Sequence, residues 1–96
     1  MDKMGLLKRK PEFIITGQTP DDYVPIGIVT GIANAGTLGK GEIRSAIEKA
    51  QKDLWSEAIK LGGTAISNYR ISRAPSGNAS LSAQSIIVYG DAIKKV

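Results

Sequence analysis

One long amphipathic helix constrains this 96-residue chain more than any other feature of its sequence. Apolar residues recur at three- and four-residue steps between positions 42 and 61, the spacing that places them on one helical face. Glu42 and Lys60 complement the helix dipole at its two ends, and Gly62-Gly63 predicts the left-handed residue that terminates it. The apolar stripe consists of Ile43, Ala46, Ile47, Ala50, Leu54, Ala58 and Leu61. One helix of this length can cover only one side of a small sheet.

Strand-like runs flank the helix on both sides. They lie at residues 13–16, 23–33, 64–73 and 80–94. The expected fold is therefore α+β: a small, antiparallel-type sheet of about four strands with one long helix, in the order ββαββ.

The second run carries residues with positional meaning. Val24, Ile26, Ile28 and Ile32 are expected on one face by strict alternation. Pro25 places this run at a sheet edge or at a strand start, because proline has no N–H for the ladder. Gly27 and Gly31 share the opposite face and predict the close approach of another backbone or helix. In the third run, Ile66 and Tyr69 have opposite parity, which indicates a bulge or burial on both faces.

The last run is apolar on both faces, a pattern typical of a strand that is covered twice. Ile86 and Val88 lie on one face, and Ile87, Tyr89 and Ile93 on the other. Since the helix covers only one side, the simplest second cover is another copy of the chain. A homo-oligomer is the expected state.

Trp55 and Ile59 lie outside the main helical stripe, four residues apart. Two interpretations are open for this second apolar patch. It folds over the helix edge onto the rim of the sheet, or it forms a subunit contact, where tryptophan anchors are enriched.

The positive charge is confined to the chain ends. The chain has 13 Lys and Arg against 9 Asp and Glu, a net charge of +4. Residues 1–10 sum to +3 and residues 94–96 to +2, so the body is near neutral at −1. This favours a flexible basic tail over residues 1–11 and a single domain over residues 12–96. It disfavours a nucleic-acid-binding surface, and leaves an accessory role through the basic termini as a weaker alternative.

The sequence contains no histidine and no cysteine. Thiolate nucleophiles, Ser-His-Asp triads and sites with imidazole or thiolate ligands are therefore excluded. We expect a non-enzymatic protein without a cofactor. The chain has neither a secretory peptide pattern nor an apolar run of about 20 residues, which predicts a cytoplasmic protein without a membrane span.

Residues 31–41 form a glycine-rich stretch that ends at the predicted helix. The phosphate-binding P-loop pattern fails, because Asn34 stands where its first glycine belongs and Gly41 replaces its hydroxyl residue. A helix N-terminus still attracts anions in general. The candidate ligand loop consists of Gly36, Gly39, Lys40 and Gly41.

Carboxylates supply a second hypothesis. Asp21-Asp22 is the only adjacent acidic pair, and Asp91 interrupts an otherwise apolar strand. A hard cation or an anion could be held between subunits by these residues or by the loop amides. Asp21-Asp22 is equally typical of a turn chosen for its backbone preferences, and Asp91 of a strand end that reaches solvent.

Three stretches of the chain resemble the YbjQ-like family of small bacterial proteins, which carries a heavy-metal-binding label. The first is residues 13–31, with Phe-Ile-Ile-Thr followed by Tyr-Val-Pro-Ile-Gly-Ile-Val-Thr-Gly. The others are residues 58–66, around Leu-Gly-Gly-Thr-Ala, and residues 89–93, Tyr-Gly-Asp-Ala-Ile. The chain departs from the family at Asp91, where threonine is usual, and at Gly63, where alanine is usual.

The resemblance extends over residues 13–96 and implies an α+β subunit assembled into a ring, with a pentamer as the family expectation. It implies no mechanism. Heavy-metal binding is not expected here, because Met1 and Met4 are the only soft ligands in the chain. The expected function is a small binding or assembly module whose ring interior or glycine loop takes a small ligand or an anion. The expected subunit contact comprises Trp55, Ile59, Tyr89 and Asp91.

Overall fold

A three-stranded antiparallel sheet with one helix on one side makes up the fold. The structure is a computed structural model that describes residues 10–35, 40–75 and 84–96. Its strands form one sheet in the order β1-β3-β2, so that β3 is central and β1 and β2 run parallel to each other on either side. The elements are β1 (Tyr23–Ala35), α1 (Lys40–Lys60), β2 (Ala65–Pro75) and β3 (Gln84–Lys95).

The α+β class is confirmed, but the described element order is βαββ with three strands, not ββαββ with four. Residues 13–16 form a single parallel bridge, between Ile14 and Ile66. Backbone bonds continue it briefly, as the Ile15 N–H donates to the Ile66 carbonyl at 3.0 Å. A register shift between Ser67 and Arg70 breaks the regular edge of β2 beside this segment, which keeps the pairing short.

Side chains also hold the segment before β1. The Tyr23 hydroxyl donates to Glu12 Oε1 at 2.7 Å, and the Thr64 hydroxyl donates to the same oxygen at 3.2 Å. The rings of Phe13 and Tyr23 meet edge to face with centroids 5.1 Å apart. The hydrogen bond to Glu12 raises the pKa of Tyr23 above its usual value. These contacts tie Glu12 to the first residue of β1 and to the residue before β2.

The helix begins two residues and ends one residue earlier than the predicted span of residues 42–61, and it terminates at the predicted glycine pair. Gly62 has φ of 88°, and its N–H donates to the Ile59 carbonyl at 2.9 Å. The Gly63 N–H donates to the Ala58 carbonyl, also at 2.9 Å. These bonds satisfy carbonyls that the last turn would otherwise leave open.

The close approach predicted at Gly31 is present. A Cβ on Gly31 would collide with the carbonyl oxygen of Ala50 and lie 2.6 Å from the backbone nitrogen of Leu54. The backbone of α1 therefore lies directly on β1 at this point. Residues 34–35, predicted as part of the glycine-rich loop, belong to β1, and residues 40–41 belong to α1.

Two irregularities decide which side chains face the helix. The predicted bulge in β2 is confirmed between Ser67 and Arg70, and Gly90 lies opposite it, where a Cβ would come within 2.9 Å of the Ser67 carbonyl. β1 has a second register shift, between Pro25 and Gly27. Because of it, Ile26 packs against the core, and the predicted single face for all four apolar residues of β1 is wrong.

The core lies between α1 and the sheet. Its largest fully buried side chains are Leu54, Ile66, Ile86 and Val88. α1 packs mainly on β1 and less on β3. It reaches β2 through the Tyr69 hydroxyl, which donates to Gln51 Oε1 at 2.9 Å. Within the described residues, no helix is long and apolar enough to span a membrane.

Candidate interaction surface

The side of the sheet opposite α1 is here named the open face. Directly paired residues share a face, and the pairs Ile28–Asp91, Thr30–Tyr89 and Ile32–Ile87 join β1 to β3 on this side. β2 continues it with Arg70, paired to Tyr89, and Ser72, paired to Ile87. The open face therefore consists of Ile28, Thr30, Ile32, Ile87, Tyr89, Asp91, Arg70 and Ser72.

The apolar part of the open face is exposed. Ile28 is 79 % exposed, Ile32 57 % and Tyr89 43 %, whereas Val29, on the other side of the same strand, is 4 % exposed. A single exposed apolar residue is ordinary, but a contiguous group on paired strands marks an interaction surface.

A polar group borders this apolar patch. The Asn68 amide donates to Asp91 Oδ2 at 2.9 Å, and Asn68 has φ of 54°, a left-handed conformation that asparagine tolerates better than most residues. The hydroxyls of Ser67 and Thr19 are 2.8 Å apart, and Ser67 is fully buried. The half-buried Asp91 carboxylate of β3 therefore lies at one end of the open face, hydrogen-bonded to Asn68 in the β2 bulge.

Arg70 is engaged within its own chain. Its Nη1 donates to the Thr16 carbonyl at 2.7 Å and to the Tyr69 carbonyl at 2.8 Å. The guanidinium therefore links Thr16, in the segment that pairs with β2, to the backbone of β2 itself.

Residues predicted for the subunit contact fall into two places. Tyr89 and Asp91 lie on the open face. Trp55, 7 % exposed, and Ile59, half-buried, pack in the core of their own chain. The helix-edge interpretation of Trp55 agrees with this placement, and little of its surface remains for a neighbour.

The candidate ligand loop is described only at its end. Gly36 and Gly39 lie outside the described residues, Lys40 is the first residue of α1, and Gly41 is exposed in its first turn. Asp21 and Asp22 lie exposed in the turn before β1. Among the residues that the structure describes, no three acids group into a metal-binding cluster.

Sequence reasoning did not single out Asn68 or Asp53. Asp53, on α1, accepts a hydrogen bond from the Ile32 N–H at 3.1 Å. It looked like an ordinary helix-surface charge, and its contact depends on the way α1 lies over β1. The signal for the open face was present in the alternation of Ile28 and Ile32, although the side they occupy could not be assigned.

The fold and this surface define a small α+β protein with an exposed sheet face. No family model matches the chain, and no curated protein matches it. A solved structure with TM-score 0.70 is 19 % identical, with 88 % of this chain and 97 % of that chain covered. It is a protein of unknown function from Pediococcus pentosaceus that belongs to the DUF74 family. At this identity the likeness shows the shared fold alone.

Proposed function

We propose that this protein is a non-enzymatic homo-oligomer of the YbjQ-like type that serves as a small binding or assembly module. The observation that carries the proposal is the exposed apolar patch on the open face, formed by Ile28, Ile32 and Tyr89. Burial of a fully exposed isoleucine contributes about 1.5–3 kcal/mol, so a partner that covers this patch gains a substantial free energy.

Another copy of the chain is the partner that this composition favours. β3 is apolar on both sides, yet α1 covers only one of them. The resemblance to the YbjQ-like family implies a ring of five copies. In such a ring the open face lines a shared interior. Its apolar residues and the Asp91–Asn68 pair then make up the ligand surface. The DUF74 neighbour supports the subunit fold that this arrangement requires.

Light scattering on the full chain tests the proposal. At micromolar concentration we expect the mass of an oligomer, at least two times the 10.2 kDa of the subunit. Ile28→Glu should lower that mass, because it places one negative charge per copy in the shared interior that the open face lines. Val96→Glu is the matched control: Val96 is also exposed, at 84 %, but lies at the chain end outside the open face. A monomeric native chain would overturn the proposal.

The second candidate function is a hard-cation or anion site formed between copies at Asp91. The observation that favours it is the half-buried Asp91 carboxylate, held by Asn68 on the surface proposed to meet another copy. Millimolar Mg²⁺ or Mn²⁺ should raise the unfolding temperature of the native chain, since a ligand bound only by the folded state stabilises it. Inorganic phosphate replaces the cation in the parallel assay for an anion site.

Asp91→Asn should abolish the rise in unfolding temperature. Asp21→Asn, which changes an exposed turn carboxylate, should retain it. If neither cation nor phosphate stabilises the native chain, the second candidate is wrong and the first still stands.

A further inference from the structure

The outer edge of β1 carries backbone groups that point away from the described sheet. The Ile32 N–H is one of them, because it donates to Asp53 and not to β3. Backbone groups of alternate residues in a strand point the same way, so Thr30 and Asn34 also face outward. β1 therefore offers an edge at which a further strand can pair, with Asp53 occupying one donor.

Among the described residues, the outer edge of β2 has an occupied half and an open half. Its first half pairs with the segment before β1, up to the bond from the Tyr69 N–H to the Ile15 carbonyl at 3.0 Å. By the same alternation, the backbone groups of Ile71 and Arg73 point outward beyond that segment. Pro75 is the next outward residue, and proline is tolerated at such a position because no ladder bond is required of it.

The two edges differ in how α1 covers them. Asp53 of α1 reaches the outer edge of β1, so the helix lies over that edge. Ile71 is 47 % exposed, although it lies on the helix side of the sheet, paired to the fully buried Val88. The β1 edge is thus covered by α1, whereas the β2 edge carries an apolar side chain, that of Ile71, which α1 leaves partly exposed.

We propose that copies join head to tail, with residues 71–73 of β2 in one copy pairing in parallel with β1 around Ile32 in the next. The inference rests on the proposed homo-oligomer and names the surface that builds it. In this arrangement Ile32 lies beside Ser72 of the adjoining copy, and its N–H and carbonyl bond to the residues on either side of that serine. Ile32 and Ser72 both belong to the open face, so the open faces of the two copies lie on the same side of the joined sheet.

Alternative pairings of the same edges fit less well. Two β1 edges related by a twofold axis would place two copies of α1 over the same pair of strands. An antiparallel match of β1 with β2 would set Ile32 against Ile71 or Arg73, whose side chains lie on the helix side, and would turn the open face over. Of these three pairings, the parallel, head-to-tail match is the one that preserves both the faces and the space for α1.

Charge complementarity supports the same match. Arg73 is exposed and lies on the helix side, paired to the buried Ile86. In the joined sheet it approaches α1 of the next copy, where Asp53 can exchange the Ile32 N–H for the guanidinium. The freed N–H then bonds to the incoming strand, so no backbone donor is lost.

Disulfide trapping tests the geometry, because the native chain has no cysteine. Chains carrying Ile32→Cys and chains carrying Ser72→Cys are mixed and mildly oxidised. Neighbouring strands lie within the Cα separation that a disulfide spans, so a covalent dimer should form in the mixture and in neither variant alone. Thr30→Cys and Asn34→Cys extend the test to adjacent registers. Glu48→Cys, on the exposed side of α1, is the control that should not cross-link to Ser72→Cys.

The outcomes separate this inference from the proposed function. Cross-linking of Ile32→Cys chains to themselves would show a twofold β1 contact and overturn the head-to-tail match. Absence of cross-links at all three β1 positions, in chains that light scattering shows to be oligomeric, would overturn it while leaving the homo-oligomer intact. A monomeric native chain would overturn both.

A charge exchange supplies an independent measurement. Asp53→Arg or Arg73→Asp alone should lower the association constant about tenfold or more, and the double variant should recover most of the loss. Glu48→Arg, a matched change on the same helix, should have little effect. Unfolding temperatures verify that each variant is folded. If the double variant associates no better than the single variants, the predicted Asp53–Arg73 contact is absent and the head-to-tail match fails.

Discussion

The two faces of the sheet use the same strands for different purposes. On the helix side, Gly31 and Val29 are buried and the α1 backbone lies against β1. On the open face, Ile28 and Ile32, one residue away in each direction, are 79 % and 57 % exposed. Because side chains alternate along a strand, the odd-numbered residues of this segment stabilise the subunit and the even-numbered ones form an interaction surface. Substitutions on the two sides should therefore separate folding from association.

Gly31→Ala should give the largest loss of stability. The added Cβ would meet the Ala50 carbonyl and the Leu54 backbone nitrogen, and helix backbone cannot rotate aside as a side chain can. We expect the free energy of unfolding to fall by about 3 kcal/mol or more. Urea denaturation followed by circular dichroism measures it.

Gly27→Ala is the control for that substitution. Its Cβ would lie 2.8 Å from Leu61 Cδ1, the end of a flexible side chain, so the cost should be below about 1 kcal/mol. Equal losses for the two alanines would show that the close contact of α1 with Gly31 does not exist.

Leu54→Ala and Ile28→Ala compare the two faces directly. Leu54 is fully buried, and its truncation should destabilise the subunit by about 2–5 kcal/mol. Ile28→Ala should change subunit folding by about 0.5 kcal/mol or less but weaken self-association. Denaturation at concentrations low enough to dissociate the oligomer, together with light scattering, separates these effects. A large folding loss for Ile28→Ala at such concentrations would contradict the assignment of Ile28 to the open face.

The elements that the sequence predicts best are governed by local chemistry. The end of α1 follows from Gly62, which supplies the positive φ within the helix terminus itself. The edge position of Pro25 and the close approach at Gly31 follow from a missing N–H and a missing Cβ. Each of these inferences needs only the residue and its immediate neighbours.

The features that the sequence predicts poorly depend on residues that are distant along the chain. The β1 bulge next to Gly27 reverses the face of Ile26, and pairing with β3 creates it. Residues 13–16 have strand composition, but the β2 bulge limits them to a bridge. Asp53 had no distinguishing mark among the helix charges, because its partner N–H lies 21 residues away in the chain.

Asn68 should show a smaller effect, at the polar border of the open face. Asn68→Ala keeps a β-carbon in a left-handed conformation and removes the bond to Asp91, so it should cost about 1–2 kcal/mol. Asn68→Gly removes the same bond but relieves the backbone penalty, so it should lie close to the native chain. Thermal unfolding of both variants gives the comparison. A glycine variant as unstable as the alanine variant would mean that the Asp91 bond, and not the backbone conformation, dominates at this position.

The smallest predicted effect concerns the hydrogen bond between Tyr23 and Glu12, beside the occupied half of the β2 edge. Tyr23 holds the segment there through Glu12, and this hydrogen bond raises the pKa of its phenol above the usual value of about 10. Below that pH the phenol is protonated in both the folded and the unfolded chain, and the contribution of the bond is fully present. As the pH rises, the unfolded phenol ionises first, and the contribution is lost on approach to the folded pKa. Tyr23→Phe retains the ring but removes the bond, so the stability difference between native chain and variant should shrink as the pH rises above the usual tyrosine pKa. Two stability curves that stay parallel as the pH rises would mean that the Tyr23–Glu12 bond contributes nothing, and that the backbone bonds to β2 alone hold the segment.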